Sequence, residues 1–277
     1  MPNKLVYIAG LPHSGSTLLS LLLGKHPSMV ALGEVNLQLR RMRREKERLS
    51  SQICGCGVPV PECALWGRVL KELPPSADEG KDYDLVWRVF CQLYGPGIHP
   101  VDASKIKEPL LTLARTGGRE VRVIHLTRDY RSAVTSDVIR QLKEQHRWRP
   151  RWLLSMEKAR RWLRENRKLD RAIEETGFPA LRLGYEELLF SPERSWNSLW
   201  KFLEVPPGNF AHDTAGSRNH IFIGNRMRSE SHKIDISYDT RWFTSEDWLL
   251  SMLLIPGVLE GNRRWVYSNG VFGPWVR

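Results

Sequence analysis

Cysteine is scarce in this chain, with four in 277 residues, too few for a disulfide framework and in keeping with a reducing compartment. No run of about 18 apolar residues occurs, so no membrane span is expected. The N-terminus lacks the apolar core of a signal peptide: Lys4 is followed by an apolar run that Pro12-His13-Ser14-Gly15-Ser16-Thr17 interrupts, and a cytoplasmic location is the expectation. Internal repeats and low-complexity stretches are missing too. Acidic residues are outnumbered, 31 Asp and Glu facing 42 Lys and Arg for a formal net charge of +11. That surplus points to acidic partners, whether a nucleotide, a sulfated or phosphorylated compound, a membrane face or nucleic acid, without choosing among them.

What is present is organised around the beginning of the chain. Lys4 to Gly10 is an apolar run rich in β-formers, Pro12-His13-Ser14-Gly15 is turn chemistry, and Ser16-Thr17-Leu18-Leu19 opens a helical leucine pattern. Strand, loop and helix in that order make a phosphate cradle. The backbone amides from Ser14 to Leu18 lie at a helix N-terminus, where unpaired N–H groups and the macrodipole favour an anion, and hydroxyls add donors. The spacing of Gly10 and Gly15 matches the nucleoside-triphosphate loop Gly-x-x-x-x-Gly-Lys-Ser/Thr, but Ser16 stands at the lysine position. The cradle is kept while the grip on a terminal phosphate is lost. A polar loop capping an ordinary helix is the bland alternative, and Leu18, Leu19, Leu22 and Leu23 read as a buried helix face.

Glu34 follows a short apolar segment and Gly33. It is a general-base candidate, the alternative being a carboxylate that answers the dipole of a helix starting near Val35. Cys54-x-Cys56 and Cys63 supply three thiolates of a zinc set, but the spacing departs from Cys-x-x-Cys and no fourth partner is evident. Small buried or capping thiols are therefore the default, and no metal is assigned. Lys105 closes Pro100-Val101-Asp102-Ala103-Ser104-Lys105; at the end of a short parallel strand it lies on the cradle's edge of the sheet, and an exposed lysine at a helix start is the alternative. Glu120 to Thr127 reads as a strand leading into Arg128-Asp129-Tyr130-Arg131. Arg128 and Ser136, two helical turns on, can clamp one phosphate, while Asp129 caps the following helix.

In this order the cradle, the Asp-x-Ser-Lys segment and Arg-Asp-x-Arg-x-x-x-x-Ser resemble the PAPS-dependent sulfotransferases of the bacterial, P-loop-like type. Tyr185-Glu186-Glu187-Leu188 is similar to that family's Tyr-Glu-x-Leu segment, whose tyrosine lies against adenine. His220 to Arg228 is similar to its His-x-x-x-Gly-Asn-x-x-Arg loop, which closes over the nucleotide, and Cys54-Gly55-Cys56-Gly57 also looks like that subgroup. The likeness runs from residue 4 to about 242. It implies transfer of a sulfonate from PAPS to a hydroxyl or amine of a carbohydrate, lipid or small metabolite, with PAP as product and no catalytic metal. Glu34 is then the base. Lys105 and His13 hold charge on the transferring group, and Ser14, Gly15, Ser16, Thr17 and the Leu18 amide hold the 5'-phosphate. Arg128, Ser136 and Arg228 hold the 3'-phosphate, Tyr185 meets the base, and Asn225 and Arg226 belong to the closing loop. Relatives carry Lys or Arg at position 13, so His13 is expected to work as imidazolium beside Lys105, its pKa raised by the phosphosulfate.

The rest of the chain reads as one α/β domain over 1–277, three layers around a mostly parallel sheet, with a cysteine-containing loop at 51–64. An exposed linker falls at 74–81. A basic helical excursion at 145–175, its helix reading from Arg147 to Arg171 with Trp152, Leu153, Met156, Ala159, Trp162 and Leu163 as the inward face, is a core element or a lid over the acceptor. A terminal helix is expected over Ser245–Leu254, with Trp242, Trp248, Trp265 and Trp275 as packing residues. The competing functions are a P-loop kinase or NTPase, which wants lysine at position 16, and a non-enzymatic basic binding protein. The 3'-phosphate clamp disfavours both, and nucleic acid is not an expected partner.

Overall fold

The computed structural model describes residues 3–144, 149–208, 214–223 and 238–268. Five strands, β1 (Lys4–Gly10), β2 (Met29–Gly33), β3 (His99–Lys105), β4 (Glu120–Thr127) and β5 (Ala180–Gly184), pair in the order β2-β3-β1-β4-β5, each pairing parallel. β1 is buried on both faces: Leu5, Tyr7 and Ala9 enter one core, Val6 and Ile8 the other. Two-sided burial is why its sequence is an unbroken apolar run and not an alternation.

On the Tyr7 side the core is closed by α2 (Val35–Arg44), α3 (Trp66–Glu72), α4 (Glu79–Tyr94) and α5 (Lys107–Thr116). On the Ile8 side it is closed by α1 (Ser16–Leu23), α8 (Tyr185–Phe190) and α9 (Pro192–Leu203). The long α7 (Arg151–Thr176) sends Leu169 and Ile173 to the first core. Its Leu154, Met156, Ala159, Trp162 and Leu163 join a third core with α6 (Tyr130–Glu144), α10 (Leu249–Leu254) and α11 (Val258–Trp265). The result is the three-layer α/β/α arrangement expected from the sequence.

Several boundaries differ from expectation. Pro27, whose missing N–H and fixed φ would close the first helix, is not its end: α1 stops earlier, at Gly24. α4 begins inside the stretch read as a linker because Asp78 accepts from the Lys81 amide at 3.1 Å, an ordinary N-cap. α7 runs from Arg151 and not Arg147, residues 145–148 lying outside the described residues. Trp152 is 56% exposed and Leu153 38%, so the inward stripe of α7 starts only at Leu154. The terminal helix is confined to α10, and α11 follows it unanticipated. Trp242 and Trp265 are buried as expected; Trp275 lies outside the described residues. Among the described residues no helix is long and apolar enough to cross a membrane.

Candidate active site

Because every strand runs the same way, the carboxyl ends of β1 to β4 share one edge, and the chain crosses from β3 to β4 over β1, the switch point where open α/β sheets bind ligands. A cavity of about 760 Å³ opens there, bounded by residues 10–14, 105–108, Thr127, Arg128 and one face each of α6 and α7.

The cradle is built by steric necessity. A Cβ on Gly10 would lie 2.5 Å from the Leu126 carbonyl oxygen, so only glycine lets β1 pass β4 here. The Ser14 amide donates to Leu11 O at 3.1 Å and closes the turn. Its hydroxyl, not its amide, is therefore what Ser14 can offer, a revision of the Ser14-to-Leu18 amide set. Gly15 sits at φ +92° as the α1 N-cap, and the first helical bond is Leu19 N to Gly15 O. The amides of Ser16, Thr17 and Leu18 are thus the first-turn donors of α1. Ser14 Oγ is buried with no hydrogen-bond partner among the described residues, a group whose burial is costly unless a ligand meets it.

Glu34 and Lys105 meet across the edge, Nζ to Oε1 at 2.7 Å, both partly buried. Glu34 makes no cap to α2. That task falls to β3: Val35 N donates to Asp102 Oδ1 at 3.2 Å and Asn36 N to Ser104 Oγ at 3.1 Å. Burial pushes the Asp102 carboxyl up to about 6, and Tyr83 donates its hydroxyl to it at 2.8 Å. The Asp-x-Ser part of the segment is therefore structural, and its lysine is the part that faces the cavity. Lys105 has φ +70°, a left-handed backbone that a side chain other than glycine's adopts only when its surroundings hold it there.

Arg128 leaves β4 beside the cradle, since Gly10 pairs with Leu126 in the sheet. Its turn is fixed from behind. Glu186 Oε2 accepts the Asp129 amide at 2.9 Å, Asp129 accepts the Arg131 amide at 2.8 Å as the expected cap, and Trp162 Nε1 donates to Arg128 O at 3.2 Å. Burial, reinforced by Asp129, pushes the Glu186 carboxyl up to about 8. The Arg128 guanidinium lies 5.5 Å over the Tyr185 ring, and a Cβ on Gly15 would meet that same ring at 2.5 Å. Tyr185 thus lies between the turn after β1 and the turn after β4. Arg128 Nη2 donates to Asp239 at 2.8 Å, while its Nε is buried without a partner among the described residues. Arg241 holds the same Asp239 carboxylate at 2.6 Å and reaches Ser136 Oγ at 3.3 Å.

His13, at φ +67°, lies against Arg140 of α6, Nε2 to Nη1 at 2.6 Å. Burial, then the Arg140 charge, hold its imidazole below the usual histidine value. The protein's own groups therefore disfavour the imidazolium form of His13, and Arg140 is the cation beside it. Arg140, Asp239 and Arg241 were not singled out in the sequence. Arg140 could have been found, since it lies one helical turn beyond Ser136 on a helix that leaves the clamp. Asn225, Arg226 and Arg228 lie outside the described residues.

No family model matches the sequence, and no curated protein matches it either. Among solved structures, the chain is similar to the sulfotransferase domain of the olefin synthase of Synechococcus PCC 7002, with 18% identity and a TM-score of 0.57 over 96% of this chain and 94% of that one. The sulfotransferase domain from the curacin biosynthetic pathway aligns at 20% identity and a TM-score of 0.48, covering 97% of each. The fold is shared with the olefin synthase domain, a parallel sheet with helices on both faces.

Proposed function

We propose that the protein transfers a sulfonate group from PAPS to the hydroxyl of an acceptor. The observation that carries this reading is the Tyr185 ring set between Gly15 and Arg128, one aromatic platform joining two anion sites as an adenosine with phosphates at both ends requires. Buried Ser14 Oγ and Arg128 Nε, each lacking a partner among the described residues, suit such a ligand. Ser14, Ser16, Thr17 and the Leu18 amide take the 5'-phosphate; Arg128, Ser136 and Arg241 take the 3'-phosphate, displacing Asp239. Glu34 accepts the acceptor's proton as the acceptor oxygen bonds to sulfur and the bond from sulfur to the 5'-phosphate oxygen breaks. Lys105 and the His13–Arg140 pair stabilise the charge that develops on the sulfonate and on the departing PAP. A kinase reading is disfavoured by Ser16 at the lysine position and by Asp102 being committed to α2.

Lys158, Arg161, Arg164 and Lys168 of α7 line the far wall of the cavity, which favours an acceptor bearing its own negative charge. The test is calorimetric binding of PAP against AMP, followed by transfer from labelled PAPS to a panel of acidic and neutral hydroxyl compounds. Equal affinity for PAP and AMP would end the reading.

His13 adds a pH signature. Its pKa is depressed in the ligand-free protein, and an adjacent phosphate raises it. Between those two values binding takes up protons, and below the unfolded value near 6.5 the depressed group costs stability as pH falls. Calorimetry of PAP binding in buffers of different ionisation enthalpy at mildly acid pH is expected to show uptake of up to about one proton, reduced in His13→Asn. Equal uptake in both proteins would remove charge from His13's role.

A further inference from the structure

Outside the nucleotide edge, the loop between α2 and α3 brings three thiols to one point. A short turn holds the first two. Cys54 N donates to Val58 O and Gly57 N to Cys54 O, both at 2.8 Å, with Gly57 at φ +91°. Cys63 is anchored by its amide to Pro59 O at 3.1 Å, and its sulfur accepts the Trp66 amide at 3.4 Å, the kind of N–H···S support that steadies a thiolate. The fourth group arrives from 157 residues away in sequence. His220 N donates to Ala31 O at 2.8 Å, seating residues 218–220 beside β2, and its ring turns toward the thiols. Nδ1 lies 3.2 Å from Cys63 Sγ and 3.7 Å from Cys54 Sγ. Nε2 meets the Tyr94 hydroxyl, which leaves Nδ1 as the ring nitrogen that faces the thiols. This is the fourth partner not evident in the sequence.

We infer that Cys54, Cys56, Cys63 and His220 hold a structural zinc ion. All four donor atoms lie within 4.8 Å of one another. A zinc tetrahedron with Zn–S of about 2.3 Å and Zn–N of about 2.0 Å has edges of roughly 3.8 Å between sulfurs and roughly 3.5 Å from sulfur to nitrogen. The sulfur pairs measure 3.6 Å (Cys54–Cys63) and 3.7 Å (Cys56–Cys63), so the thiols are spaced for a shared ion. Three thiolates and an imidazole fill a tetrahedron and suit zinc over harder cations; with no open position the ion is structural. It ties the 51–66 loop to α4 through Tyr94 and to the strap beside β2.

The test is made on the full chain purified under reducing, chelator-free conditions. About one zinc per chain is expected by elemental analysis, and cobalt replacement is expected to give intense thiolate-to-metal and visible d–d absorption. Cys63→Ser and His220→Asn should lose the ion, and Cys91→Ser, outside the cluster, should keep it. Should the buried-ligand variants fail to fold, two milder ones decide: Cys56→Ser at the exposed ligand, and Tyr94→Phe behind the imidazole, each expected to weaken zinc by about tenfold or more against a chromophoric chelator. A metal-free, fully reduced protein, a Cys54–Cys63 disulfide in its place, or cobalt spectra without thiolate bands would overturn the assignment. None of these readouts depends on PAP binding or transfer.

Discussion

Glu34→Gln is expected to lower sulfonate transfer by about 10²- to 10⁴-fold, the usual worth of a positioned general base, while leaving PAP affinity and melting temperature close to those of the parent. The separation follows from the division of labour at the ends of β2 and β3. Asp102 and Ser104 supply the hydrogen bonds that start α2, so Glu34 is not holding the helix. Glutamine keeps an oxygen for Lys105, now 2.7 Å away, but cannot take a proton. Lys105→Met should also slow transfer, yet with weaker PAPS binding, because its ammonium meets the transferring group in the ground state as well. Single-turnover rates measured as a function of PAPS concentration distinguish the two, the half-saturating concentration rising for Lys105→Met and not for Glu34→Gln. Transfer within about threefold of the parent in Glu34→Gln would assign the proton to another group.

β1 was legible because a parallel strand buried on both faces reads as a near-continuous apolar run, as Leu5, Val6, Tyr7, Ile8 and Ala9 do. The cradle was legible because its turn demands glycine at fixed places. Glu34 could not be decided locally, since the groups that cap α2 lie 67 and 68 residues away, and only their placement releases Glu34 from the capping role. Lys105 was ambiguous for the same reason: the sequence shows a lysine between a strand and a helix, not the carboxylate it meets. His220 was read as part of a loop motif, and its convergence with the cysteines depends on a strap pairing with β2 that leaves no periodic trace. Trp152 continues the helical spacing in sequence, yet it is 56% exposed, so spacing alone does not mark where the buried stripe begins.

Arg128→Ala is expected to weaken PAP by about 1.5–3 kcal/mol, on the order of 10- to 100-fold, as loss of a charge-assisted phosphate contact does, and to leave AMP affinity nearly unchanged. The guanidinium lies over Tyr185 at 5.5 Å and pairs with Asp239 at 2.8 Å, so an internal carboxylate already fills the place proposed for the 3'-phosphate. Ligand and Asp239 therefore compete for Arg128 and Arg241, and the competition has a sign. Asp239→Asn preserves the bond to the Arg241 amide, 3.1 Å in the parent, but removes the rival charge, and should tighten PAP several-fold without changing AMP. Titrations of both nucleotides with both variants settle the matter. If Arg128→Ala weakened PAP and AMP alike, the arginine would be holding the Tyr185 platform and not a 3'-phosphate. If Asp239→Asn also left PAP unmoved, the clamp would have to be sought elsewhere on the sheet edge.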